Sequence, residues 1–200
     1  MKNALRHDAH NSPHIDQRSC PGRALPDQAI TAIFAGLIAA ASAGAQAQEL
    51  LVRHGEDSRH YQNDGLTLRL APAWSKDMGS WATDLRPELE INHFRYTGPG
   101  PTSGPQTLNQ AGAIAFLNIH ANGEVRPYAE IGAGLAAFSH DRLGHKDFST
   151  RYQFSEHLGL GVEFAERWSI GWRYSHYSNG GAKKPNDGLD FNQLLIGFRF

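Results

Sequence analysis

The stretch Trp168–Ser178 (WSIGWRYSHYS) alternates its side chains with the two-residue period of a β-strand. One face carries Trp168, Ile170, Trp172, Tyr174, His176 and Ser178. The opposite face carries Ser169, Gly171, Arg173, Ser175 and Tyr177. A soluble sandwich would bury the apolar face, whereas a membrane barrel would turn it towards lipid and keep the polar face in its lumen. Alternation alone does not distinguish these two folds.

Seven further segments are predicted as strands, separated by clusters of Gly, Pro, Asn and Asp that are typical of turns, including Asn63-Asp64-Gly65. They are Glu49–Glu56, Leu66–Trp74, Leu85–Tyr96, Gln106–His120, Pro127–Ser139, Ser149–Phe164 and Asp190–Phe200. The total of eight matches the smallest outer-membrane barrels. The chain also ends in an aromatic residue, Phe200, on an amphipathic strand. The sequence therefore predicts an all-β fold, an eight-stranded antiparallel transmembrane β-barrel of the outer-membrane type, as a single domain over residues 48–200.

The composition is consistent with such a barrel and argues against other classes of protein. The mean hydropathy of -0.48 is too polar for a helical membrane bundle, but a barrel hides half of each strand in a polar lumen. The 19 basic and 20 acidic residues give no excess of positive charge for binding nucleic acid. We expect the lumen to be filled with side chains, including charged residues that neutralise one another. These are Glu130, Glu163, Arg173 and Arg199.

The N-terminal residues 1–47 have the layout of a signal peptide that is removed from the mature protein. The apolar run Ala29–Ala41 is followed by small residues that end at Ala47, the expected cleavage site. A transmembrane anchor is the alternative, but the run is short and rich in alanine, and a span needs about 20 apolar residues. Cys20, the single cysteine, lies in this segment, so no disulfide framework is expected.

Three residues at the ends of the last two strands have the chemistry of an activated nucleophile. With both termini in the periplasm, the strand ending at Ser178 runs outwards and the strand beginning at Asp190 returns. Parity then places His176, Ser178 and Asp190 on the lipid-facing side. Such a cluster is costly at that surface unless it serves a function. Histidine can take the serine proton while the carboxylate orients the imidazole, which is the arrangement of a hydrolytic triad.

The block His176–Asp190 (HYSNGGAKKPNDGLD) closely resembles the C-terminal region of the lipid A 3-O-deacylase (PagL) family. The segments Arg126–Ser139 and Arg151–Phe164 also look like strands of that family. The resemblance implies an eight-stranded barrel in the bacterial outer membrane that hydrolyses the ester-linked acyl chain at the 3 position of lipid A. It implies no metal and no cofactor. The expected partners are lipopolysaccharide and outer-membrane lipid, and a second copy of the chain, as a homodimer, is a further candidate.

The resemblance also assigns roles to individual residues. His176 is implied as the base, Ser178 as the nucleophile and Asp190 as the carboxylate of the triad. The positions implied to support the oxyanion or the substrate are Asn179, Gly181, Asn186 and Phe154. The family's usual acid is glutamate, so Asp190 is shorter by one methylene. A displacement of about 1 Å can cost about 100-fold in rate, which makes the reach of Asp190 a structural question.

Two other functions use the same features. A non-catalytic small barrel, serving as an adhesin or a structural protein, would explain the alternation and Phe200. It would not explain the predicted cluster of His176, Ser178 and Asp190. An outer-membrane phospholipase would use the same three residues on a different lipid.

Overall fold

The computed structural model describes residues 47–200, so the predicted signal peptide and Cys20 lie outside the described part of the chain. The strands are β1 (Ala47–Glu56), β2 (Tyr61–Leu70), β3 (Trp74–Asp77), β4 (Trp81–Tyr96), β5 (Thr107–Ala121), β6 (Arg126–Phe138), β7 (Arg142–Leu143), β8 (Lys146–Asp147), β9 (Tyr152–Phe164), β10 (Trp168–Ser178) and β11 (Leu189–Arg199). Within residues 47–200, no helix is long and apolar enough to cross a membrane.

Eight of these strands form a closed antiparallel barrel. The order around the barrel is β1, β2, β4, β5, β6, β9, β10 and β11, and the pairing of β1 with β11 completes the ring. The predicted fold class is therefore confirmed. Closure gives each of these eight strands a partner on both sides, which is the condition for a sheet in lipid.

The strand β3 continues the path of β2 along β4 after an interruption at Pro72. Leu68 pairs with Leu89, and Trp74 pairs with Leu85 further along β4. The amide of Ala73 donates to the Leu85 carbonyl at 2.8 Å and maintains the ladder between the two segments. Proline has no amide hydrogen to donate, so the ladder is interrupted where it occurs.

One predicted turn is wrong. The sequence Asn63-Asp64-Gly65 has turn composition, yet all three residues lie inside β2. The chain instead turns at residues 57–60, where His60 has a φ of 69°. The strand needs glycine at position 65, because a Cβ there would collide with the Asn92 side chain in the lumen. Here glycine marks a close approach between strands and not a turn.

The two ends of the barrel differ in the length of their connections. One end has loops of residues 57–60, 97–106, 139–151 and 179–188, and we call it the long-loop end. The other end has turns at residues 78–80, 122–125 and 165–167, and also carries both ends of the described chain; we call it the short-turn end. Bacterial outer-membrane barrels place their longer loops outside the cell. His176, Ser178 and Asp190 lie at the long-loop end.

The alternation places apolar side chains outside and charged side chains inside. Ile131 and Leu135 are 60% and 63% exposed on the exterior of β6, whereas Glu130 on the same strand is buried in the lumen. Arg173 is fully buried, although its neighbours Trp172 and Tyr174 face outwards. This arrangement is the inverse of a soluble sandwich and excludes that alternative for the described chain.

A network of buried ion pairs fills the lumen. Arg173 binds Glu130 at 2.5 Å and Glu88 at 2.9 Å. Arg69 binds the same two carboxylates, Glu130 at 2.8 Å and Glu88 at 2.6 Å, so the two arginines share the two glutamates. Nearer the short-turn end, Arg199 binds Glu163 at 2.9 Å. The predicted neutralisation among the lumen charges is confirmed.

An apolar cap closes the lumen at the long-loop end. The β7–β8 hairpin contributes Leu143, and the residue after it is Phe148; both are buried against Phe138 and other side chains of the barrel mouth. Strands β10 and β11 contribute Tyr177, Leu189 and Phe191 to the same cluster. These inward side chains alternate with the outward His176, Ser178 and Asp190. The cap therefore anchors the inner face of the strand ends that carry the predicted site.

We expect Arg173→Leu to destabilise the barrel, because it leaves Glu88 and Glu130 with Arg69 as their shared partner. Removing one member of a buried charge network typically costs about 3–5 kcal/mol. Unfolding in urea, followed by the change in electrophoretic mobility between folded and unfolded barrel, measures this loss. Arg167→Leu, in an exposed turn, is the control and should change the free energy of unfolding by less than about 0.5 kcal/mol. Equal urea midpoints for the two variants would contradict the structural role of the network.

Candidate functional site

His176 and Asp190 form a hydrogen-bonded pair on the exterior of the barrel. They are direct register partners on β10 and β11, which places their Cβ atoms about 4.5–5.5 Å apart. The distance between His176 Nδ1 and Asp190 Oδ1 is 2.7 Å, and both side chains are about one-third exposed. Aspartate is therefore long enough to reach the imidazole. A carboxylate at Nδ1 fixes the tautomer with its hydrogen on Nδ1 and leaves Nε2 as the proton acceptor.

Ser178 lies two residues after His176 on the same outward face. Its Oγ accepts a 3.4 Å hydrogen bond from the Gly180 amide. Among residues 47–200, no hydrogen bond joins Ser178 Oγ to His176. Side chains at i and i+2 start about 6–7 Å apart along a strand, so proton transfer requires the Ser178 hydroxyl to turn towards His176 Nε2. Contacts of this kind often tighten only when substrate is bound.

Asn179 organises the loop that follows the serine. Its side chain is buried, and Nδ2 donates to the carbonyls of Phe148 and Lys183, both at 2.8 Å. Its Oδ1 accepts from the Gly181 amide at 2.9 Å, and its own amide donates to Asn186 Oδ1 at 3.1 Å. The donors of Asn179 and Gly181 are thus engaged within the loop. Their support of an oxyanion stays a prediction that would require these bonds to be exchanged.

The backbone amide that donates to the Ser178 hydroxyl belongs to Gly180, a residue close behind the serine to which the family resemblance assigns no role. Gly180 has a φ of 64°, a left-handed conformation that glycine adopts without strain. Phe154, the register partner of Ser178, lies beneath it: a Cβ on Gly180 would be 3.1 Å from the Phe154 ring. Phe154 is half exposed beside Ser178, which is compatible with its predicted contact with substrate.

Asp190 has two partners besides His176. The hydroxyl of Tyr174 donates to the same Oδ1 at 2.7 Å, and Arg59 Nη2 lies 3.5 Å from Oδ2. Arg59 is also held by Asp57, and this hydrogen bond raises the pKa of Arg59 above its ordinary value. Tyr174 was visible in the sequence only as one more outward aromatic residue. Arg59 is 131 positions from Asp190 along the chain, so no local pattern relates the two.

A buried lysine fixes the loop on the other side of the imidazole. Lys146 Nζ donates to the Gly188 carbonyl, and its ammonium lies 5.2 Å from the centre of the Tyr61 ring. Burial lowers the pKa of Lys146 below its ordinary value. Gly188 has a φ of 58°, and a Cβ there would lie 3.2 Å from Cε1 of the His176 imidazole. The glycine therefore keeps the space next to the imidazole open.

The arrangement provides a base with a fixed tautomer, an adjacent hydroxyl and a nearby backbone amide, all on an apolar exterior. These are the groups needed for acyl transfer from an ester in a lipid environment. Within residues 47–200, no group of three or more His, Cys, Asp or Glu side chains is arranged to hold a metal ion.

Comparison with known proteins identifies a family for nearly the whole described chain. Residues 51–199 match the family model described as lipid A 3-O-deacylase (PagL). Lipid A deacylase PagL of Pseudomonas aeruginosa is 32% identical over 167 residues, covering 82% of this chain and 93% of the relative. Lipid A deacylase PagL of Bordetella bronchiseptica is 36% identical over 168 residues, covering 82% and 92%. The crystal structure of the outer membrane enzyme PagL has the same fold, with a TM-score of 0.66 at 22% identity over 74% of this chain and 97% of that chain.

We expect Gly188→Ala to slow the reaction of Ser178 with a fluorophosphonate probe by about tenfold, because the added methyl group would displace the His176 imidazole. The measurement is the rate of covalent labelling of the folded barrel in detergent. Gly100→Ala is the matched control, since its φ of 85° imposes the same kind of backbone strain while its Cβ would meet nothing within 4 Å. Equal labelling rates for the two variants would show that Gly188 does not protect the imidazole.

Proposed function

The chain belongs to the lipid A 3-O-deacylase (PagL) family, and we propose that it cleaves the acyl ester at the 3 position of lipid A with Ser178, His176 and Asp190. It is a hydrolase that acts on lipid A, and it is an outer-membrane β-barrel whose substrate is lipopolysaccharide. The observation that carries the three-residue mechanism is the 2.7 Å bond between His176 and Asp190, beside Ser178, on the outside of the barrel.

The position of these residues fits a lipid substrate. They lie at the long-loop end, which faces the outer leaflet in an outer-membrane barrel. The exterior of β9 and β10 towards the short-turn end is lined by exposed apolar side chains, including Leu158, Leu160 and Trp172. An acyl chain can lie along this surface while its ester is level with Ser178. The lumen is filled by buried side chains, so the exterior is the accessible route for a lipid.

The proposed reaction has two steps. His176 Nε2 takes the proton of Ser178 Oγ as the oxygen attacks the ester carbonyl, and Asp190 stabilises the imidazolium that forms. Collapse of the tetrahedral intermediate breaks the bond to the sugar oxygen, which receives the proton from His176. The acyl chain remains on Ser178. Water then attacks the acyl-enzyme with His176 as base again, which releases the fatty acid and restores the serine.

The oxyanion of both steps needs hydrogen-bond donors close to Ser178. The Gly180 amide donates to Ser178 Oγ at 3.4 Å, and it would be released towards the oxyanion when that oxygen attacks the ester. Asn179 and Gly181 would contribute once the loop exchanges its internal bonds. Asn186 supports this loop through the Asn179 amide, and Phe154 forms an apolar wall next to the serine.

The alternatives make different predictions. A non-catalytic barrel would not explain a hydrogen-bonded His–Asp pair beside a serine, so the His176–Asp190 bond next to Ser178 and the family membership favour the enzyme. A phospholipase would use the same residues, and the products distinguish it. The homodimer stays a prediction.

Mass spectrometry of lipid A from a Gram-negative host expressing the chain tests the proposal. We expect the wild-type protein to remove one 3-linked acyl chain, and Ser178→Ala to leave lipid A intact because the nucleophile is missing. His176→Asn should lower the release by at least about 1000-fold, as loss of a triad member does. Ser80→Ala is the control, because this exposed serine lies at the short-turn end.

The two alternatives correspond to two other outcomes. Unchanged lipid A with a folded barrel in the outer membrane would support the non-catalytic protein. Unchanged lipid A together with new lysophospholipid that depends on Ser178 would support the phospholipase. Removal of the acyl chain by Ser178→Ala at the wild-type rate would exclude the serine mechanism while leaving the deacylase activity intact.

A further inference from the structure

Asp190 is held by more donors than a triad carboxylate needs. Its Oδ1 accepts from both His176 Nδ1 and the Tyr174 hydroxyl, each at 2.7 Å. Its Oδ2 faces Arg59 Nη2 at 3.5 Å. The first two donors act on one oxygen, and that is the oxygen that orients the imidazole.

The strand register explains why Tyr174 can reach the carboxylate. Tyr174 precedes His176 by two residues on β10, and its direct partner on β11 is Asn192. Asp190 is therefore its diagonal neighbour on the same face, at a separation that an aromatic side chain can span. The tyrosine thus lies along the exterior, and its hydroxyl ends at the carboxylate.

The apolar surroundings of Asp190 make the hydrogen bond from the Tyr174 hydroxyl important for its carboxylate. Asp190 is on an apolar exterior, where a carboxylate is stabilised only through hydrogen bonds or nearby cations. The Arg59 side chain is 58% exposed and is shared with Asp57, so its interaction with Asp190 is screened by solvent. Tyr174 is the closer and better sheltered of these two donors.

We propose that Tyr174 is a positioning residue of the site: its hydroxyl holds the short Asp190 side chain in the rotamer in which Oδ1 meets His176 Nδ1. The proposal rests on the function proposed above. Aspartate is the shortest acidic side chain, so on a rigid strand pair it has to be held in a single orientation to meet the imidazole. Tyr174 directly follows Arg173 on β10 and therefore belongs to the opposite face, so its role is separate from that of the lumen network.

Tyr174 acts through Asp190 and His176 and not on the ester itself. Its loss should therefore lower the rate of the chemical step without weakening substrate binding. A structural role would instead lower the amount of folded barrel or change KM and kcat together.

The test is the kinetics of Tyr174→Phe with lipid A in mixed detergent micelles. We expect kcat to fall about tenfold with KM within a factor of two of the wild-type value, because one charge-assisted hydrogen bond is lost. Tyr152→Phe is the matched control: it removes a hydroxyl from another exterior tyrosine, 65% exposed on β9, and should leave kcat unchanged. Wild-type kcat in Tyr174→Phe would overturn the proposal.

A longer acid at position 190 provides an independent second variant. In an Asp190→Glu background, which should itself be active, Tyr174→Phe should reduce kcat by no more than about twofold, because the longer carboxylate needs less support. An equal loss in the aspartate and glutamate backgrounds would overturn the proposed compensation, as it would show that the hydroxyl serves the barrel or the substrate.

Fluorophosphonate labelling distinguishes the failure of this inference from the failure of the proposed function. If wild-type Ser178 is labelled and Tyr174→Phe is labelled at the same rate, the positioning role is wrong and the serine mechanism stands. If Ser178→Ala retains deacylase activity, the serine mechanism fails, and the role of Tyr174 fails with it. Slower labelling of Tyr174→Phe, with wild-type mobility of the folded barrel, supports both.

Discussion

The closed ladder of backbone hydrogen bonds is the constraint on which the rest of the structure depends. Since each of the eight barrel strands is paired on both sides, successive side chains can only point into the lumen or out to the exterior. Arg173 and His176 illustrate the consequence: three residues apart on one strand, one belongs to the buried ion-pair network and the other to the candidate site. Closure thus separates stability from chemistry within a single strand.

The site gains its rigidity from the inner face of the same strands. Tyr177, Leu189 and Phe191 are buried in the apolar cap, and their positions fix the outward direction of His176 and Asp190 between them. Catalytic groups on paired strands are held more accurately than groups on loops. The remaining part of the site, after Ser178, is a loop, and there internal hydrogen bonds of Asn179 take the place of strand pairing.

A site on the exterior also determines which molecules can reach it. A water-soluble ester would have to enter the lipid-facing surface, whereas a membrane lipid arrives by diffusion within the leaflet. The His176–Asp190 pair lies at the boundary between the loop 179–188 and the exposed apolar side chains of the barrel exterior. This position is suited to an ester that joins a sugar headgroup to an acyl chain. The family membership and the geometry therefore agree on the same class of substrate.

The sequence by itself determined the number of barrel strands, the two faces of β10 and the shared face of His176 and Ser178, because a two-residue period is a local property. The outward direction of that face followed from the barrel fold and not from the alternation. The motif His176–Asp190 also indicated the family, which the family model over residues 51–199 confirms. Local composition misassigned Asn63-Asp64-Gly65 as a turn, since the reason for Gly65 is the Asn92 side chain on another strand. Only the tertiary structure decided the two further partners of Asp190, Tyr174 and Arg59. The diagonal contact with Tyr174 depends on strand register, and the approach of Arg59 depends on the pairing of β1 with β11 in the ring. Register and closure join residues distant in the chain, so no local pattern could specify them.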